Sequence, residues 1–259
     1  MEPNGYKFEP RANLVGVGLH RPVLETGTEH RSVMPAKAKP VTVLEAQRAF
    51  YIDFEGTAVD PPSLLGVAWH DGKNDHFVQH VLEEGLWPAA DAKSKQPGFD
   101  CRRTNWADLG EILRRTVAQG HRMFAWSTHE ATAFCKFVPG GGEWFADNIE
   151  NAIVNAKAWK KANYPDVIFE RDPSNPYGGK NRLHRYFELI EYEVPTAFGP
   201  GNSAQRIKYV REMLKKKNGD YSALTPVAKR KWTNVLRHNE HDCKGLREVI
   251  LRCAAGPGS

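Results

Sequence analysis

Apolar positions recur with two different periods along this chain, and the changes of period mark the predicted elements. The segment Arg48–Gly56, RAFYIDFEG, is aromatic and β-branched and ends on glycine, which predicts a strand. LLGVAW, 64–69, and DHFVQHV, 75–81, predict two more strands, joined by an Asp71-Gly72 hairpin turn. HRMFAWS, 121–127, predicts a fourth strand, and DVIFE, 166–170, a short fifth. Helical spacing appears at 104–120, where Leu109, Ile112, Leu113 and Val117 form one stripe, Thr104 or Asn105 can cap, and Gly120 ends the run. Further helices are expected at 128–137, 143–161, 181–190, 203–217 and 225–253, the last opening on Thr225-Pro226 with proline in its favoured first position. Residues 83–103 read as a polar loop and 171–181 as another.

Three consecutive strands followed by alternating helices and strands predict an α/β fold with a mixed five-stranded sheet flanked by helices. Residues 1–46 hold many prolines, glycines and charges without a sustained period, so they are expected to be an irregular N-terminal arm before a single domain at 47–259 with C-terminal helices.

Composition narrows the class. Of the 259 residues, 41% are hydrophobic and 26% charged, an ordinary globular balance that excludes wholesale disorder. No run approaches the ~20 apolar residues of a membrane span, and the opening MEPNGYKFEP does not have the form of a signal peptide. Cys101, Cys135, Cys243 and Cys253 show no CxxC spacing, so reduced thiols and a cytoplasmic location are expected. The net charge of +5 is modest, but its distribution is uneven. Residues 205–237 carry ten Lys/Arg and two acids, whereas residues 1–100 carry ten and fourteen. Such a basic helical segment is either a solvated surface or a phosphate-binding one.

Two sets of carboxylates sit where carboxylates are costly. Asp53 and Glu55 lie two apart in the most apolar strand, so both project from one face, about 7 Å apart at ~3.3 Å per residue. Like charges there are unfavourable unless a cation neutralises them, and oxygen donors without cysteine favour a hard ion such as Mg²⁺ or Mn²⁺. The alternative is an exposed strand face. Asp242 falls within the stripe of Val235, Leu246 and Val249 on the last helix, with His238 one turn earlier on the same side. That pair suits a metal ligand with a neighbouring base, or else a buried His–Asp hydrogen bond. Glu130 in Ser127-Thr128-His129-Glu130 fits a capping box as well as a ligand. His70, His76 and His80 gather at the hairpin but lack the cysteine or fourth ligand of a zinc site.

These segments share an order with a known superfamily. Phe50-Tyr51-Ile52-Asp53-Phe54-Glu55-Gly56 resembles the Asp-x-Glu motif on the first strand of ribonuclease H-like DEDD exonucleases. Phe124–Glu130, continued by Ala131-Thr132-Ala133, resembles the second motif of one branch, the RNase H-like nucleases associated with RecB-type proteins. His238-Asn239-Glu240-His241-Asp242-Cys243 matches that branch's Tyr-Asn-Glu-Asp-Asp-Cys in four of six positions, and Asn181-Arg182-Leu183-His184 is similar to the start of its helix between motifs. Here histidine stands at the tyrosine spacing. The resemblance implies a two-metal phosphodiester hydrolase, most simply a 3′–5′ exonuclease on single-stranded ends. Asp53, Glu55, Glu130 and Asp242 would hold Mg²⁺ or Mn²⁺, and Asp147 or Asp166 could supplement Glu130. His238 would be general base or water-positioner, since an imidazole accepts a proton near neutral pH. Its partners would be DNA or RNA and a protein of nucleic-acid processing. Lys208, Arg211, Lys215, Lys216, Lys229, Arg230 and Lys231 would contact phosphates, with Tyr209 and Trp232 as stacking platforms or as core. The rival readings are a binding module that keeps the fold without catalysis, and an RNase H-like endonuclease.

Overall fold

Alternation around two acids builds the central strand. In Phe50–Glu55 (β1) the side chains of Tyr51, Asp53 and Glu55 leave one face and those of Phe50, Ile52 and Phe54 the other. β1 pairs antiparallel with Leu64–His70 (β2), and β2 with Asp75–Val81 (β3), closing the predicted hairpin. Cys101–Arg103 (β4) joins β3 in parallel, Met123–Ala125 (β5) joins β1 in parallel, and Ile149–Asn151 (β6) extends β5. The computed structural model describes residues 39–56, 61–140, 142–171, 179–198 and 202–256. Among these the sheet is mixed and six-stranded, in the order β4-β3-β2-β1-β5-β6.

Helices cover both faces. Val43–Arg48 (α1) carries a complete capping box from Thr42 and Glu45 and buries Ala46, so the expected domain start at residue 47 falls inside a packed helix. The described residues all belong to one unit, Lys37–Ser259; residues 1–38 of the expected arm, and 172–178 of the expected loop, lie outside the described residues. Trp87–Ser94 (α2) occupies the segment expected to be a loop; proline at its start and Ala89 and Ala90 in the core make it a helix. Trp106–Ala118 (α3) is capped by Asn105, whose side chain accepts from the Asp108 N–H. Leu109 and Leu113 are buried as expected, but Ile112 is 42% exposed; Gly110 lies inward instead, where a methyl group would meet Val138 at 2.6 Å.

His129–Phe137 (α4) follows β5, and Gly142–Asn148 (α5) and Ala152–Asn163 (α6) divide what was expected to be one helix. Between them runs β6, because Asn148 and Asn151 interrupt the helical run and the Asn151 side chain caps α6 at Ile153. The expected strand at 166–170 is not formed; Ile168 is 79% exposed while Phe169 packs against Tyr186. Leu183–Leu189 (α7), a 3-10 turn at Thr196–Phe198, Ser203–Lys216 (α8) and Pro226–Ala255 (α9) complete the unit. None of the helices among the described residues is long and apolar enough to cross a membrane.

The face bearing Ile52, Leu65 and Val67 packs on α3, α4 and α5. The face bearing Tyr51 packs on α9 through Leu246, Val249 and Ile250, and the Tyr51 hydroxyl donates to the Ala46 carbonyl at 2.5 Å. Gly66, opposite Asp53 in β2, sets how closely α9 approaches. A methyl group there would stand 2.2 Å from Asn239 Oδ1 and 2.9 Å from Cys243 Sγ. Because both neighbours are held in a fully buried row, Gly66→Ala should destabilise the protein by about 1–3 kcal/mol in chemical denaturation; an unchanged midpoint would mean that α9 rides further from the sheet.

Candidate metal centre

β1 and α9 bring the predicted acids together. Asp53 and Glu55 point at α9 from adjacent same-face positions, and α9 presents His238, Asn239 and Asp242 to them. His238 Nε2 stands 3.4 Å from Glu55 Oε1 and 3.6 Å from Asp242 Oδ2, with side-chain exposures of only 10%, 10% and 24%. The ligating atoms of these three residues all lie within 4.8 Å of one another. Glu130 enters from the first turn of α4, buried, its carboxylate accepting from the Ser127 hydroxyl at 3.1 Å. The Ser127 hydroxyl in turn accepts from the His129 N–H, so the cap is built one residue earlier than Thr128, whose side chain makes no cap bond. Capping thus fixes Glu130 where its charge still acts on Asp53.

The electrostatics follow from burial. The Asp53 carboxyl is pushed well above the ordinary carboxylate range, first by desolvation and then by the charges of Asp242, Glu55 and Glu130. Burial lifts Glu55 to about 7; His238, the Ser203 hydroxyl and Arg206 pull the other way, and Asp242 adds to the rise. Burial likewise raises Glu130 and Asp242, the latter opposed by His238. Four carboxylates that resist ionisation together mark a place where a cation would relieve the cost.

A polar chain fixes the geometry behind them. Asn239, fully buried, donates through Nδ2 to both the main-chain carbonyl and Oδ2 of Asp53, each at 3.0 Å. Its Oδ1 accepts from Gln79 Nε2 at 3.2 Å, and Gln79 also donates to the Leu236 carbonyl at 2.9 Å. Asn239 had a visible signal: it lies midway between Trp232 and Leu246, seven residues from each, a polar residue within a buried row. Ser203 and Arg206, at the start of α8, carried no such mark, since neither interrupts a periodic pattern. An open cleft reaches the cluster, with Leu183, Phe187, Val194 and Phe198 on its walls and His238 and Asp242 at the site.

Other expectations fare differently. Asp147 and Asp166 are exposed on the surface. The three hairpin histidines are engaged separately. His76 meets Asp71 at 2.7 Å, His80 is buried against the Thr104 hydroxyl at 2.9 Å, and His70 Nδ1 accepts from the Gly72 N–H at 3.0 Å. Trp232 is fully buried among apolar neighbours and offers no stacking surface; Tyr209 is partly covered, with the Lys231 ammonium 5.0 Å above its ring. Of the basic residues, Lys208, Lys215, Lys216 and Arg230 are exposed and make no ion pair among the described residues. Arg211 pairs with Glu83 at 3.2 Å, and Lys229 donates to the Ser222 carbonyl at 2.7 Å.

Because Glu55 binds its proton more tightly when folded, the metal-free native state gains protons relative to the unfolded chain between roughly pH 4.5 and 7. Its contribution to stability therefore falls as pH rises through that window. Glu55→Gln should stabilise the metal-free protein by on the order of 2 kcal/mol at pH 8, and leave it nearly unchanged at pH 4, in denaturation measured with chelator present. Equal stability of the two proteins at pH 8 would mean that Glu55 ionises without penalty. No protein-family model, no curated protein and no solved structure matches the chain.

Proposed function

We propose that this protein is a divalent-metal-dependent nuclease of the ribonuclease H-like type, hydrolysing phosphodiester bonds at single-stranded ends in the 3′–5′ direction. The observation that carries the reading is the approach of Glu55 and Asp242 around His238, beside Asp53 and with Glu130 close enough for its charge to act on Asp53; Glu55 and Glu130 are buried and Asp53 and Asp242 half-buried. An oxygen-rich donor set of this kind suits Mg²⁺ or Mn²⁺. When bound, such ions activate a water and neutralise the charge that develops on a scissile phosphate. The chain's own part is to hold the acids in register. β1 supplies two from one face, the cap of α4 supplies the third, α9 supplies the fourth, and Asn239 locks Asp53 to α9.

Two further features support the reading. Asp53 and Glu55 lie on the first strand, inside a mixed sheet. The apolar-walled cleft next to them suits an unpaired base at a strand end, and exposed Lys208, Lys215, Lys216 and Arg230 extend a positive surface along α8 and α9.

An end-labelled single-stranded oligonucleotide incubated with the protein and Mn²⁺ should yield a stepwise ladder from the 3′ end. Internal cuts would replace the exonuclease by an endonuclease, and retention without cleavage would reduce it to a binding module. Asp53→Asn should slow cleavage by at least ~100-fold, beyond what loss of an outer-shell partner costs, while the melting curve stays cooperative. Undiminished cleavage by that variant would remove the catalytic centre. Replacing Lys208, Lys215 and Lys216 by glutamine should reduce the slope of log affinity against log salt by about 2 for single strands; an unchanged slope would show that α8 does not face the phosphates.

A further inference from the structure

The ring of His238 is oriented by a contact that decides its chemistry. Its Nδ1 lies 2.6 Å from the main-chain carbonyl oxygen of Phe198, in the 3-10 turn before α8. A carbonyl oxygen only accepts, so Nδ1 carries the hydrogen and donates it. In the neutral ring Nε2 then bears a lone pair, and it faces two carboxylate oxygens at 3.4 and 3.6 Å. A lone pair aimed at two acids can bond either a proton held on one of them or a cation lying among them, and 3.4 and 3.6 Å are long for an O–H···N bond. The alternative is a doubly protonated ring donating to Glu55 or Asp242. Those separations are long for it, since charge-assisted N–H···O contacts close to about 2.7–2.9 Å. They do suit donors gathered around one ion, since the ligating atoms of His238, Glu55 and Asp242 all lie within 4.8 Å of one another.

We infer that His238 is a metal ligand through Nε2, sharing one ion with Glu55 and Asp242, and that this site prefers a first-row transition ion such as Mn²⁺ to Mg²⁺. The inference deepens the metal-dependent reading above and changes the role of the histidine. A nitrogen bonded to the ion is not free to act as general base. Imidazole beside two carboxylates is a mixed donor set, which favours ions that accept nitrogen, whereas Mg²⁺ takes oxygen alone. The Phe198 carbonyl is the outer-shell partner that ligating histidines generally have, fixing the tautomer and raising the basicity of the free nitrogen. The 3-10 turn is itself held to α8, because Arg206 Nη2 donates to the Ala197 carbonyl at 3.1 Å. The cleft that reaches His238 and Asp242 gives an ion a path to the site.

The test uses the full-length protein and MnCl₂ with no nucleic acid present, so its outcome is independent of whether the protein cleaves anything. Pulsed EPR of the Mn²⁺-loaded protein should show modulation from one imidazole nitrogen, and His238→Gln should abolish it. Mn²⁺ should bind at least tenfold more tightly than Mg²⁺ in competition, and the variant should lose most of that margin. Mn²⁺ bound without nitrogen modulation would overturn the ligand role and leave the carboxylate-held metals standing. Failure of Mn²⁺ to bind at all would sink this inference together with the metal-dependent reading.

Discussion

Everything in this structure is arranged around the cost of enclosing carboxylates. A buried acid without a counter-charge is among the most expensive groups a fold can hold, and around β1, α4 and α9 the charges of Asp242, Glu55 and Glu130 all bear on Asp53 while His238 is the cation nearest Glu55 and Asp242. The surrounding core tolerates this because the apolar packing on either side is extensive. Tyr51 and Phe124 pack with Leu246 and Val249 on one face, and Ile52 and Phe134 with Leu109 on the other. The acids are held by elements whose own apolar burial is favourable.

The parts legible in the chain were those where a short period meets a residue that violates it. Asp53 and Glu55 stood out because strand alternation forces both onto one face, and Asp242 because it interrupts a helical apolar stripe. The three antiparallel strands and most helices were legible for the same reason, since each spans enough residues for a period to register. Strands β4 and β6 were not. Each has three residues of which one is apolar, unlike the equally short but wholly apolar β5, and each pairs along a neighbouring strand. β6 was concealed further by helical composition on both sides. The exposed Ile168 misled in the opposite direction, an apolar residue in a β-rich run whose backbone has no strand to pair with.

The candidate centre was legible in its acids and opaque in its supports. Asn239 bonds to Asp53, 186 residues away, and to Gln79, 160 away. No local pattern encodes such a contact, although a polar residue in a buried row hints at one. The orientation of His238 depends on a carbonyl oxygen, and main-chain atoms leave no trace in residue type. Gly66 is intermediate: a glycine inside a strand signals close approach, but only the packed helix shows what approaches.

The long helix α9 has a consequence of its own. Its 30 residues form one unbroken rod of about 45 Å. On it ride the amide that holds Asp53, the imidazole, the last carboxylate and, at Gly245, the notch that admits the Phe187 ring. A rod rolls as a whole. Any substitution that turns it by a few degrees displaces the donors and the interior seam through the same angle. Chemistry and foldability are thus geared to one axle, and variation in this lineage is expected to retune them jointly or leave both alone.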